Sequence, residues 1–411
     1  MPYRVLAIAP TPFFADYGCH VRIYEEARAL GRLGHEVVIC TYHNGRNPPP
    51  APGVRVRRMP RVPWHAEVRV GSTYHKLYFD ALLAATALVA SLGRIDVVHA
   101  HLHEGALIGA LVSRLRRVPL VFDYQGSLTR EMLDHQFLRE ESPLYRPLQR
   151  LEHLIERLPD LIITSSQHAA HQLCGWQGVR VECLPDAVDT HVFRPPPVEQ
   201  VQALRRRLGI PPEREVVGFL GLLAEYQGVG HLLYAARRVI ERRPGTHFLI
   251  MGYPGLERYQ RQAYDLQILD HVTFTGRVPY AEAPLHLALA DVAVSPKRSA
   301  SEANGKLLNY MAMGLPTIAY ETPVAHELLG DDGVYAPPGD IAALAEAIIA
   351  LLDDPSRRAA LGVRLRARAE REFSWERFGL RLAALYDTTL PAYRFAGQES
   401  RRTAARSSPE L

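Results

Sequence analysis

The sequence predicts an α/β protein made of two consecutive doubly wound, Rossmann-like domains. Three observations carry that prediction. The chain has 411 residues, enough for two cores of roughly 200 residues each. Short β-branched runs alternate with longer segments of helical period, the pattern of βαβ units around a parallel sheet. A proline-rich break, Arg194-Pro195-Pro196-Pro197, interrupts the alternation, which then restarts.

In the first half the expected strands are Arg4–Ala9, Glu36–Tyr42, Val54–Met59, Asp96–His101, Leu120–Tyr124, Leu161–Ser165 and Arg180–Leu184. Helical periodicity lies between several of them, as in Val21–Leu33 and Tyr74–Ser91. Gly34 supplies a helix stop, because glycine accepts the left-handed cap conformation. In the second half the strands are Val216–Leu220, Thr246–Met251, Val272–Thr275, Val292–Ser295, Pro316–Tyr320 and Val334–Tyr335. Helices are expected at Gly228–Arg242, Gly305–Met313, Ile341–Leu352, Pro355–Glu372 and Trp375–Tyr386. Residues 1–193 and 194–372 are the two expected domains, and 396–411 a disordered polar tail. Ligands of open α/β sheets bind beyond the carboxyl ends of the strands, so two such domains are expected to face each other across a substrate cleft.

Composition narrows the function. The formal charge of +4 is small for this length, and no basic stripe with interleaved aromatic residues is present, so no nucleic-acid partner is expected. The basic clusters Arg55–Arg61 and Arg114–Arg117 read as solvated faces, compatible with a peripheral contact to an anionic membrane. Cys19, Cys40, Cys174 and Cys183 have no CxxC spacing, which points to neither a zinc site nor a disulfide framework. The apolar start Val5–Ala9 has strand length and no cleavage site, and the run Ala81–Leu92 is too short to span a bilayer. A cytoplasmic protein is expected, with an inner-membrane contact compatible. Arginine supplies nearly every positive charge: only Lys76, Lys297 and Lys306 are lysine.

Two of those lysines fall within the most informative stretch, Ser295–Pro316, and bracket its loop. A strand ends near Pro296, a loop of small residues follows, and a helix begins around Asn304-Gly305. Free N–H groups at a helix start favour an anion by about 0.3–1 kcal/mol, and glycine lets a phosphate approach the backbone. Lys297 and Lys306 add compact ammonium charges suited to phosphate. Glu302 lies between them, placed to hold sugar hydroxyls or to stabilise positive charge at an anomeric carbon.

The stretch Lys306–Pro316, with its Met-Ala-Met-Gly-Leu-Pro run, resembles the donor-site signature of the family 4 glycosyltransferases. Other segments agree in order: Ala9–Pro12 with Gly18 and the Leu33–Val37 helix end; Asp96–His101; Asp160–Ser165; Pro185–Asp189 with Phe193–Pro195; Gly221–Gly228; Phe274–Val278; and Phe373–Trp375. The resemblance runs from Val5 to about Tyr386. It implies the GT-B fold, a nucleotide-diphosphate sugar held by the second domain and an acceptor held by the first. It also implies retention of anomeric configuration, no cofactor and no tightly bound metal. The acceptor class stays open among a glycan, a lipid-linked molecule and a small metabolite. The final helix, 373–395, is expected to cross back to the first domain.

By the same resemblance Gly18 approaches the donor phosphate, Asn304 and Gly305 cap it, Val278 lies near the base, and Gly221 joins the donor set. Four positions depart from the family pattern. Asn309 stands where an acidic residue usually binds ribose, Ser301 stands where the first acidic residue belongs, and Leu222 and Gln227 replace the arginine and lysine that grip the diphosphate. Losing that pair removes two charge-assisted contacts of about 1.5–3 kcal/mol each. Lys297 and Lys306 are expected to supply the replacement charge.

Thirteen of the 18 histidines precede Arg194. His99, His101 and His103 alternate at a strand end and would share one face if the strand continued. No carboxylate or cysteine supplies an obvious remaining metal shell, so no metal is expected there. His101, with a catalytic role, and Glu104 are expected to line the cleft and orient the acceptor, together with Asp16, Asp123 and Gln125. Gln125 stands where relatives often carry a histidine beside the reacting sugar, which fits a front-face mechanism in which the departing phosphate takes the acceptor proton. Asp16 or Asp123 as a base is the competing idea. A GT-B protein that binds without transferring, and a nucleotide-sugar epimerase, are the alternative functions.

Overall fold

The structure, a computed structural model, describes residues 2–15, 18–64, 76–134, 137–175, 178–299 and 303–406; within 391–406 only the side chain of residue 393 is described. The chain divides into two compact units, Met1–Pro185 with Trp375–Leu411, and Asp186–Ser374.

The first unit carries strands β1 (Arg4–Ala9), β2 (Glu36–Thr41), β3 (Val54–Arg58), β4 (Val97–His101), β5 (Leu120–Tyr124), β6 (Leu161–Thr164) and β7 (Arg180–Cys183). Its helices are α1 (Gly18–Arg32), α2 (Lys76–Ala90), α3 (Leu102–Arg116), α4 (Leu128–Asp134), α5 (Tyr145–Ile155) and α6 (Gln167–Leu173). Among the described residues the seven strands form one parallel sheet in the order β3-β2-β1-β4-β5-β6-β7. Interior strands such as β5 and β6 are buried at every position, as a sheet covered on both faces requires. Edge strand β3 reads VRVRR and exposes Arg55 and Arg57, which blunts the edge against further pairing. Arg58 at its end donates to the carbonyl oxygens of Phe13 (2.6 Å) and Asn44 (2.9 Å), so part of that basic cluster ties down a loop.

The second unit adds α7 (Val198–Arg207), β8 (Glu215–Leu220), α8 (Val229–Arg242), β9 (Thr246–Met251), α9 (Leu256–Asp265), β10 (Val272–Gly276) and α10 (Ala283–Leu287). Then follow β11 (Val292–Ser295), α11 (Lys306–Ala312), β12 (Thr317–Tyr320), α12 (Pro323–Leu329), β13 (Val334–Ala336), α13 (Ile341–Leu352) and α14 (Pro355–Glu372). Its parallel sheet runs β10-β9-β8-β11-β12-β13. Helix starts are specified locally: Thr322, Asp340 and Asp354 each accept a backbone N–H three residues on, and Pro323 and Pro355 occupy first-turn positions.

The division falls at 185/186 rather than at 193/194. The reason is packing: Val188 N–H donates to Phe373 O at 2.8 Å, and Phe193, fully buried, joins the second unit's core with Leu204 and Met313. The last helix, α15 (Trp375–Arg406), belongs to the first unit and continues beyond 395, where a disordered tail was expected. It lies close on α1, since a Cβ on Gly379 would come within 2.9 Å of Ala29 Cβ. Residues 407–411 lie outside the described set.

Candidate active site

Each sheet reverses its strand order once, between β1 and β4 and between β8 and β11. The carboxyl ends of those strand pairs are where an open α/β sheet binds its ligand.

In the second unit β8 runs into Gly221 and β11 into Lys297. The N–H of Gly221 donates to Met251 O at 3.0 Å, and a Cβ on Gly221 would lie 2.7 Å from Lys306 Nζ. The Lys306 ammonium donates to Gln227 Oε1 and sits 4.5 Å from the centroid of the Phe219 ring. Gln227 is buried in a short turn drawn against the β11 loop: a Cβ on Gly228 would overlap Pro296 O, and Arg298 N–H donates to Tyr226 O at 2.8 Å. Tyr310, one turn beyond Lys306 on α11, accepts from Leu220 N–H at 2.8 Å and fixes the end of β8. Sequence reading missed Tyr310 because a buried tyrosine on a helix looks like ordinary core.

Lys297 is buried, and its ammonium donates to Ala303 O at 2.7 Å. Asn304 turns its side chain inward to Ser295 Oγ at 3.2 Å, leaving only its backbone toward the loop. Gly305 precedes the first residue of α11, and the carboxylate of Asp186 lies 3.5 Å from where its Cβ would be. Asn309 is half-buried on α11, and Val278 packs its side chain against the core. Ser301 and Glu302 lie outside the described residues.

In the first unit the switch point is built on a buried polar network. Arg22 of α1 grips Asp123 with Nη2–Oδ1 at 2.7 Å and Nε–Oδ2 at 3.0 Å, and its Nε lies 3.0 Å from Glu26 Oε1. His101 Nδ1 is 3.1 Å from Asp123 Oδ2, and Gln125 Nε2 donates to the same oxygen at 2.8 Å. His99 stacks on His101, with ring centroids 4.7 Å apart, and meets the Tyr386 hydroxyl of α15 through Nδ1. Burial alone would raise the Asp123 carboxyl, but the Arg22 guanidinium and His101 reverse that and hold it well below the ordinary range. Burial, with His101 adding to it, pushes His99 down to about 3.

Two expectations are corrected here. Asp123 and His101 are 0% and 2% exposed, so neither presents a surface to an acceptor; they support Gln125, which is half-buried. Asp123, charged and gripped by arginine, is also unsuited to act as a base. The network was hidden in the sequence because its partners are far apart, 101 residues for Arg22 and Asp123 and 287 for His99 and Tyr386. One signal was available: Arg22 and Glu26 stand four apart on a helix whose neighbours Ile23, Ala27 and Leu30 are core.

The three alternating histidines do not share a face. The strand stops at His101, and Leu102, at φ +61°, opens α3 and turns His103 toward Glu152 and Glu156. The structure therefore supplies the carboxylates that the local sequence lacked. Glu104 pairs with Lys76, both half-buried. Burial opposes its charge, but the ammonium outweighs it and the carboxyl titrates below its usual range. Gly18 begins α1 in the open: a Cβ there would meet nothing within 4 Å. Asp16 lies outside the described residues.

Comparison with known proteins agrees with this architecture. Residues 17–187 match the family model described as a glycosyl transferase 4-like domain, and residues 214–354 the one described as glycosyl transferases group 1. The D-inositol 3-phosphate glycosyltransferase of Thermobispora bispora is 30% identical over 396 residues, covering 91% of this chain and 90% of that protein. The GDP-mannose-dependent alpha-(1-6)-phosphatidylinositol monomannoside mannosyltransferase of Mycolicibacterium smegmatis is 36% identical over 214 residues, covering 50% of this chain and 56% of that protein. In fold, the chain matches sucrose-phosphate synthase from Thermosynechococcus elongatus with a TM-score of 0.81 at 21% identity, covering 95% of this chain and 100% of the other. Two parallel-sheet Rossmann-like units, both family domains in order and a full-length relative lead to one statement: this chain belongs to the group 1, family 4-like glycosyltransferases and is a glycosyltransferase.

Proposed function

We propose that the second unit binds a nucleotide-diphosphate sugar and that the enzyme transfers the sugar, with retention and without metal, to an acceptor held by the first unit. The observation that supports this most is the Lys306 ammonium at the β8–β11 switch point, against Gly221 and on the amide of Gln227. The family's phosphate-gripping cations are replaced at Leu222 and Gln227, and Lys306 brings a charge to the second of those places. In this reading Gly221, Gly305 and Lys306 receive the diphosphate, Asn309 a ribose hydroxyl and Val278 the base. Lys297 holds the backbone at Ala303, and Glu302, outside the described residues, is assigned to the sugar from the sequence alone. Work on the barrier then comes from positioning and charge stabilisation, with the departing phosphate accepting the proton.

Both relatives named above carry inositol in their names, so inositol-bearing acceptors come first in any screen. Gln125, oriented from beneath by Asp123, and Glu104 are the described residues assigned to acceptor binding. A peripheral membrane contact belongs to the same proposal. Leu107, Leu111 and Leu115 lie one turn apart on α3 at 51%, 46% and 63% exposure, with Arg114, Arg116 and Arg117 at its end. Such a leucine stripe with a cationic rim suits an anionic bilayer surface. Among the described residues no helix is long and apolar enough to cross a membrane.

The test is a transfer assay over nucleotide sugars and inositol-type acceptors, with the product's anomeric configuration read by NMR. Product with the donor's configuration, formed in the presence of chelator, supports the proposal. Nucleotide binding with no turnover over the panel would favour a binding protein, and donor conversion without acceptor would favour an epimerase.

A further inference from the structure

We infer that His103, Glu152 and Glu156 form a binding site for one divalent transition-metal ion of the zinc type, which clasps three helices of the first unit. The three side chains are 3%, 2% and 2% exposed. His103 comes from the first turn of α3, Glu152 from α5, and Glu156 from the residue that ends α5 one turn later. Their ligand atoms all lie within 4.8 Å of one another.

The distances separate a metal site from an ordinary hydrogen-bonded cluster. His103 Nε2 stands 3.7 Å from Glu152 Oε1 and 3.6 Å from Glu156 Oε1, and it has no hydrogen-bond partner among the described residues. An imidazolium bridging two carboxylates draws in to roughly 2.7–3.2 Å. Ligand atoms around a tetrahedral ion at about 2.1 Å stand about 3.4 Å apart, close to what is seen. The other oxygen of each carboxylate is already held: Glu152 Oε2 accepts from Thr129 N–H at 3.1 Å and from its hydroxyl, and Glu156 Oε2 lies 3.1 Å from His153 Nδ1. Such outer partners orient metal-binding carboxylates. Glu152 Oε1 also accepts Leu128 N–H at 2.8 Å, which leaves it a second lone pair.

Charge gives an independent argument. Among the described residues no arginine or lysine is paired with Glu152 or Glu156. Two buried carboxylates with one imidazolium would keep a net negative charge, which is costly away from water. A divalent cation with a neutral imidazole is balanced. The neighbouring cluster of Glu26, His99, His101 and Asp123 differs here, because the Arg22 guanidinium already sits on both carboxylates. One nitrogen and two oxygens suit zinc, with water completing the shell. His153, its side chain 42% exposed, marks the side open to solvent. Bound there, the ion would join the start of α3, the end of α5 and, through the Glu152 contacts to Leu128 and Thr129, the start of α4. It has no part in the proposed transfer step.

The test uses the full chain, stripped with a chelator and titrated with Zn2+ or Co2+. One tight equivalent is expected, with Co2+ bands of a histidine–carboxylate site and a metal-dependent rise in Tm. Glu156→Gln and His103→Asn should each weaken binding at least tenfold, while Glu26→Gln should not. Absence of a tight equivalent, unchanged affinity in both variants, or loss only in Glu26→Gln would overturn the assignment. X-ray absorption on zinc-loaded wild type decides the matter even if the variants fail to fold: one imidazole with oxygen neighbours supports the site, and sulfur or several imidazoles contradict it.

Discussion

The ammonium of Lys306 is bonded to the side-chain oxygen of Gln227, 79 residues earlier in the chain. The contact sets an ammonium against a neutral amide at the place where the proposed function needs a cation. The surroundings are shaped for lysine: Phe219 lies under the ammonium, and Gly221 leaves no room for a side chain beside it. Lys306→Arg should therefore fail as a replacement, because a planar guanidinium is wider than an ammonium. Titration calorimetry with a nucleoside diphosphate should show affinity reduced about tenfold, roughly 1.4 kcal/mol, at unchanged Tm. Wild-type affinity in this variant would mean that the pocket does not select lysine.

Two glycines should separate function from folding. A Cβ on Gly252 would fall 1.9 Å from Gly221 O, a backbone atom that cannot step aside, whereas one on Gly18 meets nothing within 4 Å. Gly252→Ala is expected to cost about 2 kcal/mol or more of stability, within the range for overpacked sites. Gly18→Ala should leave Tm unchanged and lower kcat/KM if its open backbone is reserved for a ligand. Thermal melts and initial rates check both, and full activity in Gly18→Ala would remove that glycine from the site.

Asp123 and Gln125 predict different failures. Asp123→Asn removes one of the two carboxylates that face Arg22, and breaking a buried ion pair costs about 3–5 kcal/mol. Gln125→Ala removes only the half-buried amide that Asp123 carries, so stability should change by less than about 1 kcal/mol while turnover drops. Denaturant melts and steady-state rates distinguish the two. Equal loss of stability in both variants would make Gln125 a structural residue.

His99 gives a pH signature with a definite sign. Its folded-state value of about 3 lies below the ordinary imidazole value of 6.5, so between those two values the unfolded chain takes up a proton that the folded chain refuses. Stability is therefore lost as pH falls from 6.5 toward 3, by up to about 1.4 kcal/mol per unit, and this group contributes no pH dependence above 6.5. His99→Asn lacks this term. Between pH 7.5 and pH 5, wild type should lose about 2 kcal/mol more than the variant, measured by urea melts at both pH values. Parallel losses would show that His99 is not held neutral.

The repeating pattern was readable in the sequence because buried parallel strands write continuous apolar runs, as in Leu161–Thr164 and Val292–Ser295. The residues proposed for the donor side could be named from the sequence for a similar reason: Lys297, Gly305 and Lys306 lie within ten residues on one loop and helix start. What escaped depends on contacts between distant segments. The pairing of Lys306 with Gln227, the grip of Arg22 on Asp123 and the meeting of His103 with Glu152 and Glu156 each need the tertiary fold. The domain boundary was misplaced because Pro195–Pro197 marks a local break in the chain, whereas Val188 and Phe193 reveal membership only through what they pack against.

In the proposed function a single ammonium, that of Lys306, captures the diphosphate of the donor. This capture is tested most directly by calorimetric titration of nucleoside diphosphates into wild type and Lys306→Ala. For the nucleoside diphosphate that binds wild type best, Lys306→Ala is predicted to lose about 1.5–3 kcal/mol, or roughly ten- to 150-fold in affinity. Equal affinity in the two proteins, with both folded, would contradict the account.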